Sequence, residues 1–241
     1  MKRIGMATLL SLSAISVAHA QSAGDWVVNA GWMHLAPQDS SDPLTVSALG
    51  SSATVPGSGA SVSNADTFSL AATYFVTNHI AVEALLGVPP KLNLSGTGSL
   101  SALGEMGSAR VWGPVLLAQY HFGEPTARLR PYVGAGVSYV WFKSVELSSQ
   151  MANGQFLASP TLGASLEGPT SVSLSSSFAP IVNAGMTYNI NQHWSVGVSA
   201  SYAWLSTRAT LTTHSALGTV SSSTKVRINP IVTFVSVGYR F

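Results

Sequence analysis

The chain has 241 residues, 46% of them hydrophobic and only 8% charged, with 11 basic against 9 acidic side chains and no cysteine. A typical soluble domain carries about 25% charged residues, so this chain is too poor in charge for an ordinary aqueous surface, and it does not use disulfides to hold its fold. Setting aside Lys2 and Arg3 leaves equal numbers of basic and acidic residues, so the sequence pI of about 9.0 gives no basis for a nucleic-acid partner.

Lys2 and Arg3 precede an apolar run from Ile4 to Val17, and Ala18-His19-Ala20 then reads as a small-X-small cleavage site. Residues 1–20 are therefore expected to be a secretory signal peptide and 21–241 a single domain. No second long apolar run follows, so no helical membrane anchor is expected.

From Asp25 to Leu35 the chain alternates, with Trp26, Val28, Ala30 and Trp32 on one face. Pro37 to Asp66 is rich in Ser, Gly and Pro and reads as a long loop. Phe68, Leu70, Ala72, Tyr74 and Val76, then Ile80, Val82, Ala84, Leu86 and Val88, mark two strands around a tight turn at Thr77-Asn78-His79. Pro89-Pro90 ends the second, and Lys91 to Arg110 reads as another loop. Leu116 to Phe122 and Pro131 to Trp141 form the next pair around Gly123-Glu124-Pro125, followed by a polar excursion from Lys143 to Ser177. Val182 to Ile190 and Trp194 to Trp204 flank a turn at Asn191-Gln192, Leu205 to Thr224 reads as a last loop, and Ile231 to Phe241 closes the chain.

The expected fold is thus all-β: an eight-stranded antiparallel transmembrane barrel with short periplasmic turns and long extracellular loops, in the outer membrane of a Gram-negative bacterium. Aromatic residues collect at both strand ends, as they do at membrane interfaces. Tyr120, Phe122, Tyr188, Trp194, Tyr239 and Phe241 lie beside short turns or the C-terminus, and Tyr139, Trp141, Tyr202 and Trp204 beside long loops.

Several runs carry a family likeness: Asn78-His79-Ile80-Ala81-Val82-Glu83, Gln119-Tyr120-His121-Phe122-Gly123, Leu129 to Tyr139, Asn189 to Trp194, and the terminal Val237-Gly238-Tyr239-Arg240-Phe241. In this order the set resembles the OmpW family of outer-membrane proteins. The resemblance implies an eight-stranded barrel with a narrow apolar lumen that binds or passes small hydrophobic molecules, releases them sideways into the membrane, and needs no cofactor. It also suggests the terminal Phe241 as a handle for the barrel-assembly machinery. The remaining expected partners are outer-membrane lipid and lipopolysaccharide and a small hydrophobic solute.

The face opposite the lipid gives the candidate lumen. An eight-stranded barrel is just wide enough to be filled by side chains or to hold one small ligand. Phe75, Leu85, Leu117, Phe142, Leu205 and Phe234 are the candidate ligand path; the competing reading is that they plug the barrel as core. Glu83, His121 and Arg240 are the candidate polar set, with Arg240, Arg130 or His121 expected to pair Glu83 near the periplasmic end. That set reads as a structural brace, with a proton or selectivity relay as the alternative.

His193 and Ser195 share a strand face in the manner of the His-X-Ser pair of lipid A deacylases. They follow a short turn and so sit away from the outer leaflet, and Val196 stands where that pattern has Asn, so no enzyme is expected. The histidines are scattered, giving no metal set. A second functional class stays open: a non-transporting surface protein whose loops, 37–66 and 143–177, mediate adhesion or contact with phage or host.

Overall fold

Strict period-two alternation needs a sheet with two different environments on its faces, and the computed structural model, which describes residues 21–158 and 166–241, supplies them by closing the sheet on itself. The expected signal peptide, 1–20, lies outside the described residues.

The barrel strands are β1 (Trp26–Ala36), β2 (Ala65–Phe75), β3 (Ile80–Gly87), β4 (Val115–His121), β5 (Leu129–Leu147), β6 (Ser177–Asn189), β7 (Trp194–Ala203) and β8 (Ile231–Arg240). Each pairs antiparallel with its sequence neighbours. The ring closes through β8 on β1, in a register that sets Val28 opposite Tyr239 and Ala36 opposite Ile231. Closure leaves no free edge in this part, so every ladder is satisfied within the wall.

Along these strands the outward residues are apolar and exposed: Leu86, Leu116, Val137, Val182, Val198 and Val235. Together with the flanking aromatics they form a continuous belt. A water-soluble monomer seldom exposes an apolar patch beyond about 300–600 Å², whereas a lipid-facing band has this character by design. The inward residues of β7, by contrast, are Ser195, Gly197, Ser199 and Ser201.

Three of the four stretches read from sequence as long loops, 37–66, 91–110 and 205–224, are largely β-structure, and the described part of the fourth, 143–177, holds the outer end of β5, a short helix and the strand Thr170–Leu174. Lys91–Gly98 and Glu105–Trp112 form a hairpin that pairs with Ser58–Val62 on one side and with the outer end of β5 on the other. Ser206–Ser215 and Gly218–Arg227 form a second hairpin, flanked by Thr170–Leu174 and by Thr45–Ala48, with Ser51–Thr54 at the edge. The barrel wall therefore continues outward as two sheets. Prolines mark the level of the change, at Pro37, Pro89-Pro90, Pro114 and Pro230, because proline has no N–H to give to a ladder.

Above this level the alternation inverts. In Ser206–Ser215 the buried positions are Thr207, Ala209, Leu211 and Thr213, while Arg208 and His214 face out. In Gly218–Arg227 the inward residues are Val220, Ser222 and Val226. Water surrounds the wall here, so its apolar residues turn inward. On one side the two outer sheets are joined mainly through side chains: Ala60 N donates to Ser41 Oγ at 2.9 Å, Val62 N to Asp39 Oδ2 at 3.0 Å, and Leu44 N to Ser58 Oγ at 2.7 Å.

Candidate functional site

The inversion of faces makes a lumen that is apolar at its outer end and polar at its periplasmic end, divided into chambers. The outermost is a cavity of about 120 Å³ between the two outer sheets, walled by Leu92, Leu94, Met106, Leu147, Phe156 and Leu211. The short helix Ser149–Ala152 contributes Met151 to its wall. Ser148 caps that helix through its hydroxyl, which accepts from Met151 N at 3.5 Å.

A second cavity of about 140 Å³ lies at the level of the lipid-embedded strands, lined by Met33, Leu35, Leu85, Leu117, Ile181 and Val232 among others. Between the two stands an apolar cluster of Val140, Ala179, Leu205, Val226 and Ile228, against which Val111 and Phe142 pack. Val111 lines both cavities. An apolar solute crossing from one to the other therefore passes the aliphatic and aromatic side chains of this cluster.

The floor of the second cavity is shared with a much smaller one of about 20 Å³ below it, through Glu83, Ser199 and Phe234, which line both. Beneath that floor the lumen is polar. Thr73 Oγ1 donates to Glu83 Oε2 at 2.8 Å, and Asn29 Nδ2 donates to Thr73 Oγ1 at 3.4 Å. His121 is packed between Phe75 and Tyr132, each ring centroid 4.8 Å away, and its Nε2 meets Gln119 Oε1 at 3.1 Å. Arg130 closes the end, donating to the main-chain oxygens of Gln21 at 2.9 Å and Asn78 at 2.6 Å, with its guanidinium 5.6 Å from the Phe75 ring centroid.

Of the ligand-path residues named from sequence, Leu85, Leu117, Leu205 and Phe234 line the second cavity and Phe142 the outer one. Phe75 is buried with Val27 and Ala81 below the floor, in the polar chamber, because it sits at the periplasmic end of β2 and a single inward face runs through both chemistries.

The polar set is also arranged otherwise than expected. Among the described residues Glu83 has no ion pair, and Arg240 bonds Asp25 Oδ2 at 3.1 Å. Register explains it. Arg240 lies opposite Val27, Val27 opposite Thr73, and Thr73 opposite Glu83, so the two groups are three strand spacings apart, roughly 14 Å along the wall at ~4.8 Å per strand. Each takes a nearer partner. His121 and Arg130 likewise face partners other than Glu83.

The aromatic residues form chains around both rims. Trp194, Tyr239 and Phe241 stack edge-on at centroid distances of 5.0 Å, Tyr120 and Phe122 at 5.1 Å, and Tyr188 is exposed nearby at the periplasmic end of β6. At the other rim Tyr139 meets Trp141 at 5.7 Å, and Tyr202 meets Trp204 at 5.0 Å. Trp26, Trp32, Phe68, Trp112 and Phe178 are exposed on the same outer surface and were missing from the expected girdles, although their outward positions in an alternating strand could have revealed them. His193 is exposed and stacks on Tyr239 at 5.7 Å, while Ser195 is buried; both line a small cavity at the periplasmic end, and among the described residues no hydrogen bond joins their side chains.

A family model described as the OmpW family matches residues 22–241 of this chain. The chain belongs to the OmpW family. Outer membrane protein W of Vibrio cholerae is 32% identical, with 98% of this chain and 97% of the relative covered. Outer membrane protein AlkL of Ectopseudomonas oleovorans is 28% identical over 90% of this chain and 83% of the relative. The crystal structure of OprG from Pseudomonas aeruginosa superposes with a TM-score of 0.78 at 26% identity, covering 92% of this chain and 98% of that one. This OmpW-family chain is thus an outer-membrane β-barrel of a Gram-negative cell envelope, and its homologues are outer-membrane barrel proteins.

Proposed function

We propose that this OmpW-family barrel takes up small hydrophobic molecules from outside the cell and conducts them through its narrow apolar lumen to the depth of the membrane. The observation that carries this reading is the pair of largely apolar cavities with an apolar cluster between them. The polar, tightly bonded floor at Glu83, Thr73, Gln119 and His121 disfavours onward passage of an apolar solute to the periplasm, which favours departure sideways into lipid. Leu85, Leu117, Phe142, Leu205 and Phe234 act as the path; Glu83, His121 and Arg240 brace the closed end. The aromatic rims seat the barrel in lipid and lipopolysaccharide, and the terminal strand with Phe241 serves the assembly machinery as its handle.

Uptake of an apolar fluorophore into proteoliposomes tests the reading, with Leu205→Trp as the blocking variant. Wild type should accelerate uptake and the variant should lose most of that acceleration while remaining folded. Equal uptake with and without wild-type protein would overturn it.

A second reading, contact with other cells or phage through the outer hairpins, draws on Ser51–Thr54. This strand is exposed at all four positions and lies at a free sheet edge, where backbone groups can pair with another chain. Deleting residues 51–54 should then abolish adhesion or phage sensitivity and leave uptake unchanged.

A further inference from the structure

The second cavity is not uniformly apolar, and its polar groups carry no positive charge. Glu83, Asn183 and the hydroxyls of Thr67, Ser138, Ser199 and Ser201 interrupt the aliphatic wall, and among the described residues no Lys, Arg or His lines it. Asn183 is 7% exposed, and its Nδ2 donates to Ser201 Oγ at 2.8 Å and to the Ala200 main-chain oxygen at 3.5 Å. A main-chain oxygen can only accept, which orients the amide nitrogen toward Ala200. Oδ1 is then the remaining group, buried with no hydrogen-bond partner among the described residues. Glu83, also buried, holds a Thr73 hydroxyl on Oε2 and has no ion-pair partner among the described residues.

A buried acceptor without a donor costs free energy that a suitable ligand recovers. We infer that the mid-lumen cavity selects apolar molecules that carry one hydrogen-bond donor, an aliphatic alcohol or primary amine, with the donor given to Asn183 Oδ1 or the Glu83 carboxyl and the hydrocarbon chain held among Leu85, Leu117, Ile181 and Phe234. The same lining disfavours a carboxylate head, for which it offers no cation and one acidic neighbour. This inference rests on the proposed uptake of apolar solutes and names the class that binds best.

The test is binding of heptane, 1-heptanol, heptylamine and heptanoate to the full-length mature barrel in lipid nanodiscs, read by methyl chemical shifts of the lumen residues and titrated to a Kd. Wild type should bind heptanol or heptylamine about tenfold more tightly than heptane, with heptanoate weakest. Asn183→Leu and Glu83→Gln should narrow the gap between donor-bearing ligands and heptane without weakening heptane, and Val237→Ala, on the lipid face of β8, serves as the folding control. Equal affinity of wild type for heptane, heptanol and heptylamine would overturn the donor preference while leaving the uptake reading intact. A gap that both variants preserve would equally overturn the assignment to these two residues. Failure of all four ligands to bind would remove both this inference and the reading beneath it.

Discussion

Arg130, which has no exposed surface, donates from Nη1 to the main-chain oxygen of Gln21 at 2.9 Å and fastens the start of the described chain to the beginning of β5. Its Nη2 donates to the Asn78 oxygen in the β2–β3 turn at 2.6 Å. One side chain therefore ties three separate parts of the periplasmic end together.

Truncating it strands the buried main-chain oxygen of Gln21, at a cost of about 1–3 kcal/mol when unpaired, whereas the Asn78 oxygen lies in an exposed turn and can turn to water. Arg130→Ala should destabilise the barrel by about 1–3 kcal/mol, measured by urea unfolding in detergent. Arg130→Lys should recover only part of that, since one ammonium cannot reach both oxygens with the fork geometry of a guanidinium.

The Arg240–Asp25 pair should matter less. Its side chains are 15% and 24% exposed, and such part-exposed pairs contribute about 1 kcal/mol or less. Arg240→Ala should lower stability by about that amount in the same unfolding assay, and the difference from wild type should shrink as salt rises.

Phe234 separates the second cavity from the polar chamber beneath it. Phe234→Ala removes a buried ring, at a cost of about 3–5 kcal/mol, and joins the two spaces. Planar-bilayer recording should show higher ion conductance than wild type, with a lower unfolding midpoint.

Gly136 faces the lumen on β5, opposite Leu117 of β4. A Cβ built there would collide with the Leu116 main-chain oxygen and come within 2.8 Å of Leu117 Cα, and neither backbone atom can yield without opening the ladder. Gly136→Val should prevent closure, detected as loss of the heat-modifiable folded band on gels, whereas Ala135→Val on the lipid face should fold normally.

Much of the barrel was legible in the residues. The lipid belt of β3, β7 and β8 follows from alternation, because one face is aliphatic or aromatic at every second position except Thr233. The outer hairpins were not legible. In Ser206–Ser215 every outward residue is polar and half of the inward ones are threonine, so the strand lacks the hydrophobic signal of a membrane segment and resembles a Ser- and Thr-rich loop. The candidate path was partly legible: Leu85, Leu117, Leu205 and Phe234 line one cavity, whereas Phe75, on the same inward face, falls below the floor. Asn183 falls on the lumen face by alternation with Val182 and Ala184, but its unpaired oxygen depends on Ser201 and Ala200 of the neighbouring strand.

By itself, then, the sequence determined eight strands, their two faces and the end of each at which aromatics gather, since these depend on residues one or two positions apart. Only the tertiary structure decided which face is apolar outside the membrane, where the lumen is partitioned, and that Glu83 meets Thr73 while Arg240 meets Asp25. Those outcomes depend on register across strands far apart in the chain and on whether lipid or water lies behind the wall, and neither is written in any local run of residues.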